Sequence, residues 1–204
     1  MENTAVVNLY SCEGCGVCSH VCPAGAVRLL PDVAGKKELY TGDRVFSTAT
    51  LKMGRGNSGK LVTEVKKAML KAAPPCELAI VDGSPGIGCP VIASVNGMDL
   101  VLVVAEPSGS GISDLKRLCA TAATLQVRLA VCVNKYDVSP QHTECIETFC
   151  RQQGIAFVGK IPFDPMAVRA VNEGTTVVDI DCPAGRAVRE IFAKLTALLA
   201  ERSI

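Results

Sequence analysis

Four cysteines near the start of the chain have the residue type and the spacing of metal ligands. Cys12, Cys15, Cys18 and Cys22 form the pattern C-x2-C-x2-C-x3-C, and Pro23 follows directly. Thiolates at these short intervals can converge on one inorganic cube, and this run is the spacing that holds [4Fe–4S] clusters in bacterial proteins. The pattern therefore predicts a [4Fe–4S] cluster bound by these four residues, with a zinc site or a chance group of thiols as the alternatives.

The same run leaves one ligand unassigned. In proteins with two clusters, the fourth cysteine of each run binds the other cluster, and this chain has no second run. A cluster held by Cys12, Cys15 and Cys18 therefore lacks an obvious fourth thiolate. Most of the other cysteines lie in apolar segments and are expected to be small buried residues; these are Cys76, Cys119, Cys132, Cys145, Cys150 and Cys182. Cys89 lies in a Gly/Pro loop and is the exception.

A glycine-rich stretch that ends on a lysine allows two interpretations. Residues 54–60 fit the pattern G-x-x-x-x-G-K, in which backbone N–H groups cradle phosphates and Lys60 would reach them. The next residue is Leu61, where a Mg²⁺-binding loop needs the hydroxyl of Ser or Thr. The other interpretation is a turn and a helix start with Ser58 as the N-cap, and this is the one we expect.

Helices that alternate with short apolar strands are predicted for the rest of the chain. The apolar spacing predicts helices near 61–70, 91–95, 112–125, 145–153 and 184–201. Strands are expected at 78–82, 100–105, 129–133 and 155–158, with a fifth at 177–178. Apolar strands separated by helices are typical of β-α-β units on a parallel sheet.

Four loops are candidates for ligand binding, since functional groups on such a sheet gather at the carboxyl ends of the strands. The loops span 82–90, 106–111, 134–137 and 162–164. All four are predicted to open on one rim of the sheet, and a ligand is expected there.

Composition and charge exclude several classes of protein. The chain has 204 residues, 49% of them apolar, and a net charge of +1, which gives no field to steer it onto nucleic acid. Its longest apolar run, 100–105, is far shorter than the roughly 20 residues that a membrane span needs. No apolar signal segment follows Met1, so a cytoplasmic location is expected. In that reducing compartment, clustered cysteines indicate metal binding and not disulfides.

Four stretches resemble the MinD/ParA/Mrp group of deviant P-loop ATPases, above all its members with an inserted ferredoxin domain, also described as cobyrinic acid a,c-diamide synthase-like. The stretches are 12–23, 57–62, 80–91, and 106–108 together with 134–137. The resemblance implies an α/β fold with a three-layer parallel sheet of the deviant P-loop NTPase type, present in part, and a small half-ferredoxin module at the N-terminus. It implies a ferredoxin-like iron–sulfur segment over 1–35 and the C-terminal portion of a P-loop NTPase-like domain over 36–204.

The resemblance also implies roles on the phosphate side of a bound nucleotide. Asp82 looks like the switch II acid that holds Mg²⁺ through a water, a role that suits a carboxylate facing a hard cation. Gly86 resembles the switch glycine whose backbone N–H contacts the γ-phosphate, where only glycine allows so close an approach. ATP or ADP with Mg²⁺ is the cofactor that these positions imply.

Further residues resemble the base-binding side. Asn134 looks like the residue that contacts adenine, and Pro162 with Phe163 resembles the loop that closes over the base. Asp137 completes an Asn-Lys-x-Asp motif, which GTPases use to select guanine. The identity of the base therefore rests on the family resemblance.

Family members begin with a strand, a Lys-Gly-Gly-x-Gly-Lys-Thr loop and a first cysteine run, which do not occur here. The expectation is a fragment, a split-gene subunit that awaits an N-terminal P-loop partner, or a decayed paralogue; a homodimer is the other expected assembly. We expect an iron–sulfur and ATP-binding protein that hydrolyses ATP poorly by itself and acts with a redox or iron–sulfur client protein. The alternatives are an electron-transfer or cluster-carrier module, and a non-catalytic subunit.

Overall fold

The computed structural model describes residues 5–8, 11–56 and 58–201 of the chain. These residues form two compact units, the first ending at Ser94 and the second beginning at Val95. No helix within the described ranges is long and apolar enough to cross a membrane. The domain boundary expected between residues 35 and 36 stays a prediction.

The first unit opens with a short helix and an antiparallel hairpin. Helix α1 spans Val17–Val21, strand β1 spans Gly35–Tyr40, and strand β2 spans Phe46–Leu51. The two strands pair along their whole length, and the rings at their inner ends, Tyr40 and Phe46, stack with centroids 6.0 Å apart. This hairpin was not predicted from the sequence.

Two helices complete the first unit. Helix α2 spans Ser58–Ala72 and helix α3 spans Cys89–Val95, close to the predicted positions. Helix α2 packs on the hairpin, where the Ser47 hydroxyl donates a hydrogen bond to a carbonyl of the helix at 3.0 Å. The Lys66 ammonium donates to the last carbonyls of α3 at 2.9 and 3.0 Å, so α2 also holds the end of α3.

The buried strand expected at 78–82 is not formed. These residues have no strand conformation, and the side chains of Leu78 and Ile80 are 43% and 75% exposed. An apolar run of this kind becomes a buried strand only when parallel neighbours cover it. Within the described part of the first unit, the sheet is the β1–β2 hairpin, which supplies no such neighbour.

A parallel sheet forms the centre of the second unit. Its strands are β3 (Val101–Ala105), β4 (Leu129–Asn134) and β5 (Ala156–Ile161), in the order β3-β4-β5, and both pairs are parallel. Val101 lies opposite Leu129, so the carboxyl ends of β3 and β4 meet at one edge. The predicted α/β class with a parallel sheet is confirmed.

Four helices connect and cover these strands. Helix α4 (Gly109–Thr124) and helix α5 (Pro140–Gln153) link the strands, and α6 (Pro165–Asn172) and α7 (Pro183–Ala200) follow β5. Three of them begin on proline, which fits the first turn because its missing N–H has no helical partner there.

Side chains of β4 divide the core of the second unit between two faces. Val131 and Val133 pack with Leu115 of α4 and Ile146 of α5 on one face. Ala130 and Cys132, which alternate with them, pack on the other face with residues that include Ile191 of α7. Because both faces are covered, β4 is apolar at every position but its last, and the three layers are helix, sheet and helix.

The strand expected at 177–178 is also wrong. Val177–Asp179 forms a short 3-10 helix with a capping box, in which the Thr176 hydroxyl donates to the Asp179 carboxylate at 2.8 Å. Arg189 of α7 donates to the Val178 carbonyl at 2.5 Å and holds this turn on the helix. A pair of valines indicates burial, but the acid that follows directly, Asp179, stabilises a helical turn.

Candidate cluster-binding and nucleotide-binding sites

The four motif cysteines lie on a chain segment shaped by glycines. Cys12, Cys15 and Cys18 are exposed and Cys22 is half-buried, with free thiols in every case. The glycines between the first three, Gly14 and Gly16, have φ angles of 61° and 79°, which side chains other than glycine rarely adopt. These turns allow the close spacing, and α1 follows directly.

Backbone N–H groups surround the sulfur of Cys22. The Ala26 N–H donates to Cys22 Sγ at 3.4 Å. Hydrogen bonds from the Ala26 and Ala24 N–H groups lower the pKa of Cys22 below its usual value. A thiol with a lowered pKa forms a thiolate more readily, and the thiolate is the form that binds metal.

The donor set fits an iron–sulfur cluster in chemistry. Among residues 5–8, 11–56 and 58–201, no group of three or more His, Cys, Asp or Glu side chains lies close enough together to hold a metal ion. Four thiols at short intervals, one of which accepts backbone hydrogen bonds, are nevertheless the donors that a [4Fe–4S] cluster requires. Binding at such a segment would include ordering of the ligand loop, because metal binding and local folding are coupled.

The glycine–lysine stretch leads into α2, as expected for a helix start. The helix begins at Ser58, so Ser58 is its first residue and not its N-cap, and residue 57 lies outside the described residues. Lys60 is exposed on the first turn, and Leu61 is half-buried. The role of Lys60 in phosphate binding stays a prediction.

Three segments of the first unit meet around two glycines of this stretch. A Cβ placed on Gly59 would lie 3.1 Å from the backbone of Cys89, so the starts of α2 and α3 approach closely. At Gly56, an added Cβ would overlap the carboxylate of Glu13, which belongs to the cysteine segment. The cysteine segment, the 54–60 loop and the 82–90 loop are therefore adjacent, a juxtaposition that the sequence did not indicate.

The 82–90 loop contains both residues assigned to the phosphate side. Asp82 is exposed and follows an irregular segment, so the expectation that it ends a buried strand is wrong. Gly86 has a φ angle of 88°, in the left-handed region that favours glycine. The roles of Asp82 in Mg²⁺ binding and of Gly86 in phosphate binding stay predictions.

In the second unit, two bonds tie together the loops that follow β3, β4 and β5. Lys135, after β4, donates to Glu106, after β3, with Nζ and Oε1 3.1 Å apart. The Phe163 N–H, after β5, donates to Asp137 Oδ1 at 2.8 Å. Asn134 is half-buried as the last residue of β4. Of the four loops predicted to share one rim, the three that follow β3, β4 and β5 do so, and the placement of the 82–90 loop on that rim stays a prediction.

The loop after β5 is anchored again one residue further on. Asp164 caps α6 by accepting the Met166 N–H at 3.0 Å, and it accepts the Ala184 N–H of α7 at 3.1 Å. These N–H groups, Ala184 first, lower the pKa of Asp164. The side chain of Phe163 is 55% exposed on this fixed backbone, and Pro162 is half-buried beside it.

The cysteines outside the motif divide by burial. Cys132, Cys150 and Cys182 are buried, and Cys119 is half-buried. Burial raises the pKa of Cys132 and of Cys150 to about 11, so both stay protonated near neutral pH. Cys76 and Cys145 are exposed, so the expectation that they are buried is wrong, and Cys89 is exposed as well.

Comparisons with known proteins find similarity both to the cysteine segment and to longer stretches of the chain. A family model for the 4Fe-4S binding domain matches residues 5–28. An iron-sulfur cluster carrier protein of Pyrococcus furiosus is 30% identical over 158 residues, which cover 70% of this chain and 54% of that protein. An uncharacterized ATP-binding protein of Methanocaldococcus jannaschii is 33% identical over 126 residues, covering 58% of this chain and 46% of the relative.

A further relative and one solved structure are also similar to this chain. An uncharacterized protein of Methanocaldococcus jannaschii is 28% identical over 145 residues, 71% of this chain and 48% of that protein. The chain thus spans about half the length of the curated relatives it matches. The solved structure of the MinD cell division protein from Aquifex aeolicus matches with a TM-score of 0.52 at 24% identity, over 69% of this chain and 59% of that one. This likeness shows the fold.

Proposed function

We propose that this chain, a relative of the MinD/Mrp-type P-loop ATPases that carry a 4Fe–4S binding domain, binds a [4Fe–4S] cluster at its cysteine run and the base of an adenine nucleotide at the rim of its parallel sheet. The observation that carries the proposal is the cysteine run, which lies inside the matched residues 5–28. The parallel sheet supports the second part, since nucleotides bind at the carboxyl ends of such strands.

Cys12, Cys15, Cys18 and Cys22 are the proposed cluster ligands. When bound, a [4Fe–4S] cluster supplies one-electron redox chemistry. The chain itself contributes four thiolates on a segment turned by glycines. The Ala26 N–H stabilises the negative charge on the Cys22 sulfur, which in a cluster protein also raises the reduction potential.

Asn134 is the proposed contact to the base, and Pro162 with Phe163 is the proposed cover over it. Asn134 offers both an amide donor and an amide acceptor at the rim, which match the edge of adenine. The exposed ring of Phe163 offers an apolar surface for stacking. Asp82, Gly86 and Lys60 are the Mg²⁺ and phosphate contacts that the resemblance implies, and they stay part of the proposal.

Slow hydrolysis by this chain alone is part of the proposal, since Leu61 supplies no hydroxyl to Mg²⁺ after Lys60. A P-loop partner chain would supply the missing hydroxyl, and a homodimer, in which every copy has Leu61, is the other proposed assembly. A redox or iron–sulfur protein in the reducing cytoplasm would be the client. We expect a steady-state ATPase rate near background that Lys60→Ala leaves unchanged. Robust turnover that depends on Lys60 would contradict slow hydrolysis by the isolated chain.

Anaerobic reconstitution tests the cluster. The purified chain, incubated with iron and sulfide without oxygen, should retain about four irons per chain and give an EPR signal after reduction. Cys15→Ser should lose most of this iron because one thiolate ligand is removed. Cys145→Ser is the matched control, since Cys145 is also exposed but lies outside the motif.

Two results would contradict cluster binding. One is zinc as the metal retained by material kept free of oxygen. The other is equal iron in Cys15→Ser and Cys145→Ser, since the motif would then not be the site.

A further inference from the structure

Asp137 is the one acid of the Asn-Lys-x-Asp motif, and its carboxylate accepts a hydrogen bond from the backbone of another loop. Asp137 Oδ1 accepts the Phe163 N–H at 2.8 Å, across the gap between the loops after β4 and β5. The preceding motif residue, Lys135, has a φ angle of 53° and pairs with Glu106 at 3.1 Å. The motif is thus tied to both neighbouring strand ends.

Guanine recognition would require a different use of Asp137. Guanine presents two adjacent N–H donors, at N1 and at the exocyclic amine, and an aspartate reads them by turning both oxygens toward the base. An oxygen that accepts a backbone N–H has one lone pair fewer for a base, and the bond limits how the carboxylate can turn. Here Asp137 Oδ1 accepts the Phe163 N–H, so this oxygen is directed toward the loop after β5.

The hydrogen bond between Asp137 and Phe163 also helps fix the position of the Phe163 ring. The backbone of Phe163 is held by Asp137, and the next residue, Asp164, is held by α6 and α7 through Met166 and Ala184. The ring of Phe163 nevertheless remains 55% exposed. A fixed backbone with an exposed aromatic ring is a preorganised surface for stacking a planar base.

We propose that Asp137 is a positioning residue: its carboxylate latches the loop after β5 to the loop after β4, holds Phe163 ready to cover a base, and is thereby withdrawn from guanine recognition. This inference rests on the proposed nucleotide binding and makes the second unit selective for adenine over guanine. Asn134 then reads the base, and Asp137 acts through Phe163.

Two substitutions separate the latch from base recognition. Asp137→Asn keeps an oxygen that can accept the Phe163 N–H, whereas Asp137→Ala removes the acceptor. The probes are fluorescent ATP and GTP analogues and unlabelled xanthosine triphosphate as a competitor. Xanthine carries a carbonyl where guanine carries its amine, so an asparagine that reads the base would favour xanthine.

For the unaltered chain, we expect the ATP analogue to bind at least about tenfold more tightly than the GTP analogue. The polar edge of guanine would leave hydrogen-bonding groups of the site unpaired, and this lowers affinity. Asp137→Ala should weaken ATP binding about fivefold to tenfold, the effect of one lost hydrogen bond. Asp137→Asn should restore ATP binding to within about twofold, because the acceptor is retained. Preference for GTP in the unaltered chain, or a gain of xanthosine triphosphate binding in Asp137→Asn, would overturn the inference.

The Phe163 amide proton gives a readout without nucleotide. In nucleotide-free protein, its NMR signal should move upfield and exchange faster in Asp137→Ala, and stay near its original position in Asp137→Asn. No change in either variant would overturn the latch. If the amide responds as expected but no nucleotide binds the unaltered chain, the proposed function and the selectivity fail while the latch stands.

Discussion

Asp164 shows how one carboxylate joins three elements of the second unit. It lies directly after the loop that ends β5, caps α6 through the Met166 N–H, and accepts the Ala184 N–H at the start of α7. Helix N-termini carry a partial positive charge, so an ionised acid at this position is stabilised twice. The pKa of Asp164 is lowered for this reason, with the Ala184 N–H as the first cause.

The lowered pKa predicts a pH dependence of stability with a definite sign. Since the folded state holds Asp164 ionised more strongly than the unfolded chain, its contribution is complete above the ordinary pKa of 3.8 and is lost as the pH falls through the lower folded value. Asp164→Asn keeps a capping oxygen but removes this titration. Thermal unfolding from pH 7 to pH 2 should therefore show a smaller loss of stability below pH 4 in Asp164→Asn than in the unaltered chain. Equal losses would contradict the assignment.

The cysteines show what residue types alone can and cannot predict. The spacing of Cys12, Cys15, Cys18 and Cys22 identifies a ligand run whatever the fold, because the chemistry is local. Burial of the other cysteines depends on which helix face each occupies. Cys150 faces the core of the second unit and Cys145, on the same helix, does not.

The helices and strands that could be predicted from the sequence are those that pack against elements close to them in the chain. Strands β3, β4 and β5 with helices α4 and α5 form β-α-β units, and their apolar runs coincide with the strands of the sheet. The β1–β2 hairpin has weak alternation of apolar and polar residues, so its composition does not distinguish it from turns. The segment 78–82 has the composition of a buried strand, but composition does not specify its partners.

For the rim loops too, the sequence predicted the position in the fold but not the detailed contacts. The loops after β3, β4 and β5 could be placed together from topology alone, since parallel strands end at one edge. The hydrogen bonds between these loops could not be predicted, because the sequence does not specify which acceptor Lys135 or which donor Asp137 meets. The left-handed conformation at Lys135, which the sequence does not specify, helps decide which partner each side chain meets.

Over the whole molecule, the two units differ in how they are stabilised. The second unit buries a core on both faces of its sheet, whereas the buried residues among the described part of the first unit are Val91 and Ser94. Large apolar side chains such as Leu30 and Ile80 are 82% and 75% exposed in the first unit. Because so little of its surface is buried, we expect the first unit to gain order when a cluster binds.

Hydrogen exchange should reveal this difference when the cluster is added or removed. Because cluster binding orders the ligand loop, amides over 12–26 should exchange at least about tenfold more slowly after anaerobic reconstitution, and return to fast exchange when a chelator removes the iron. Amides of β4 should not change, since they are bonded on both sides within the parallel sheet. Cys15→Ser should show no slowing and Cys145→Ser should respond like the unaltered chain, measured by mass spectrometry of peptides from each unit. Slowing that extends equally to β4, or that persists in Cys15→Ser, would mean that the cysteine run does not order the first unit.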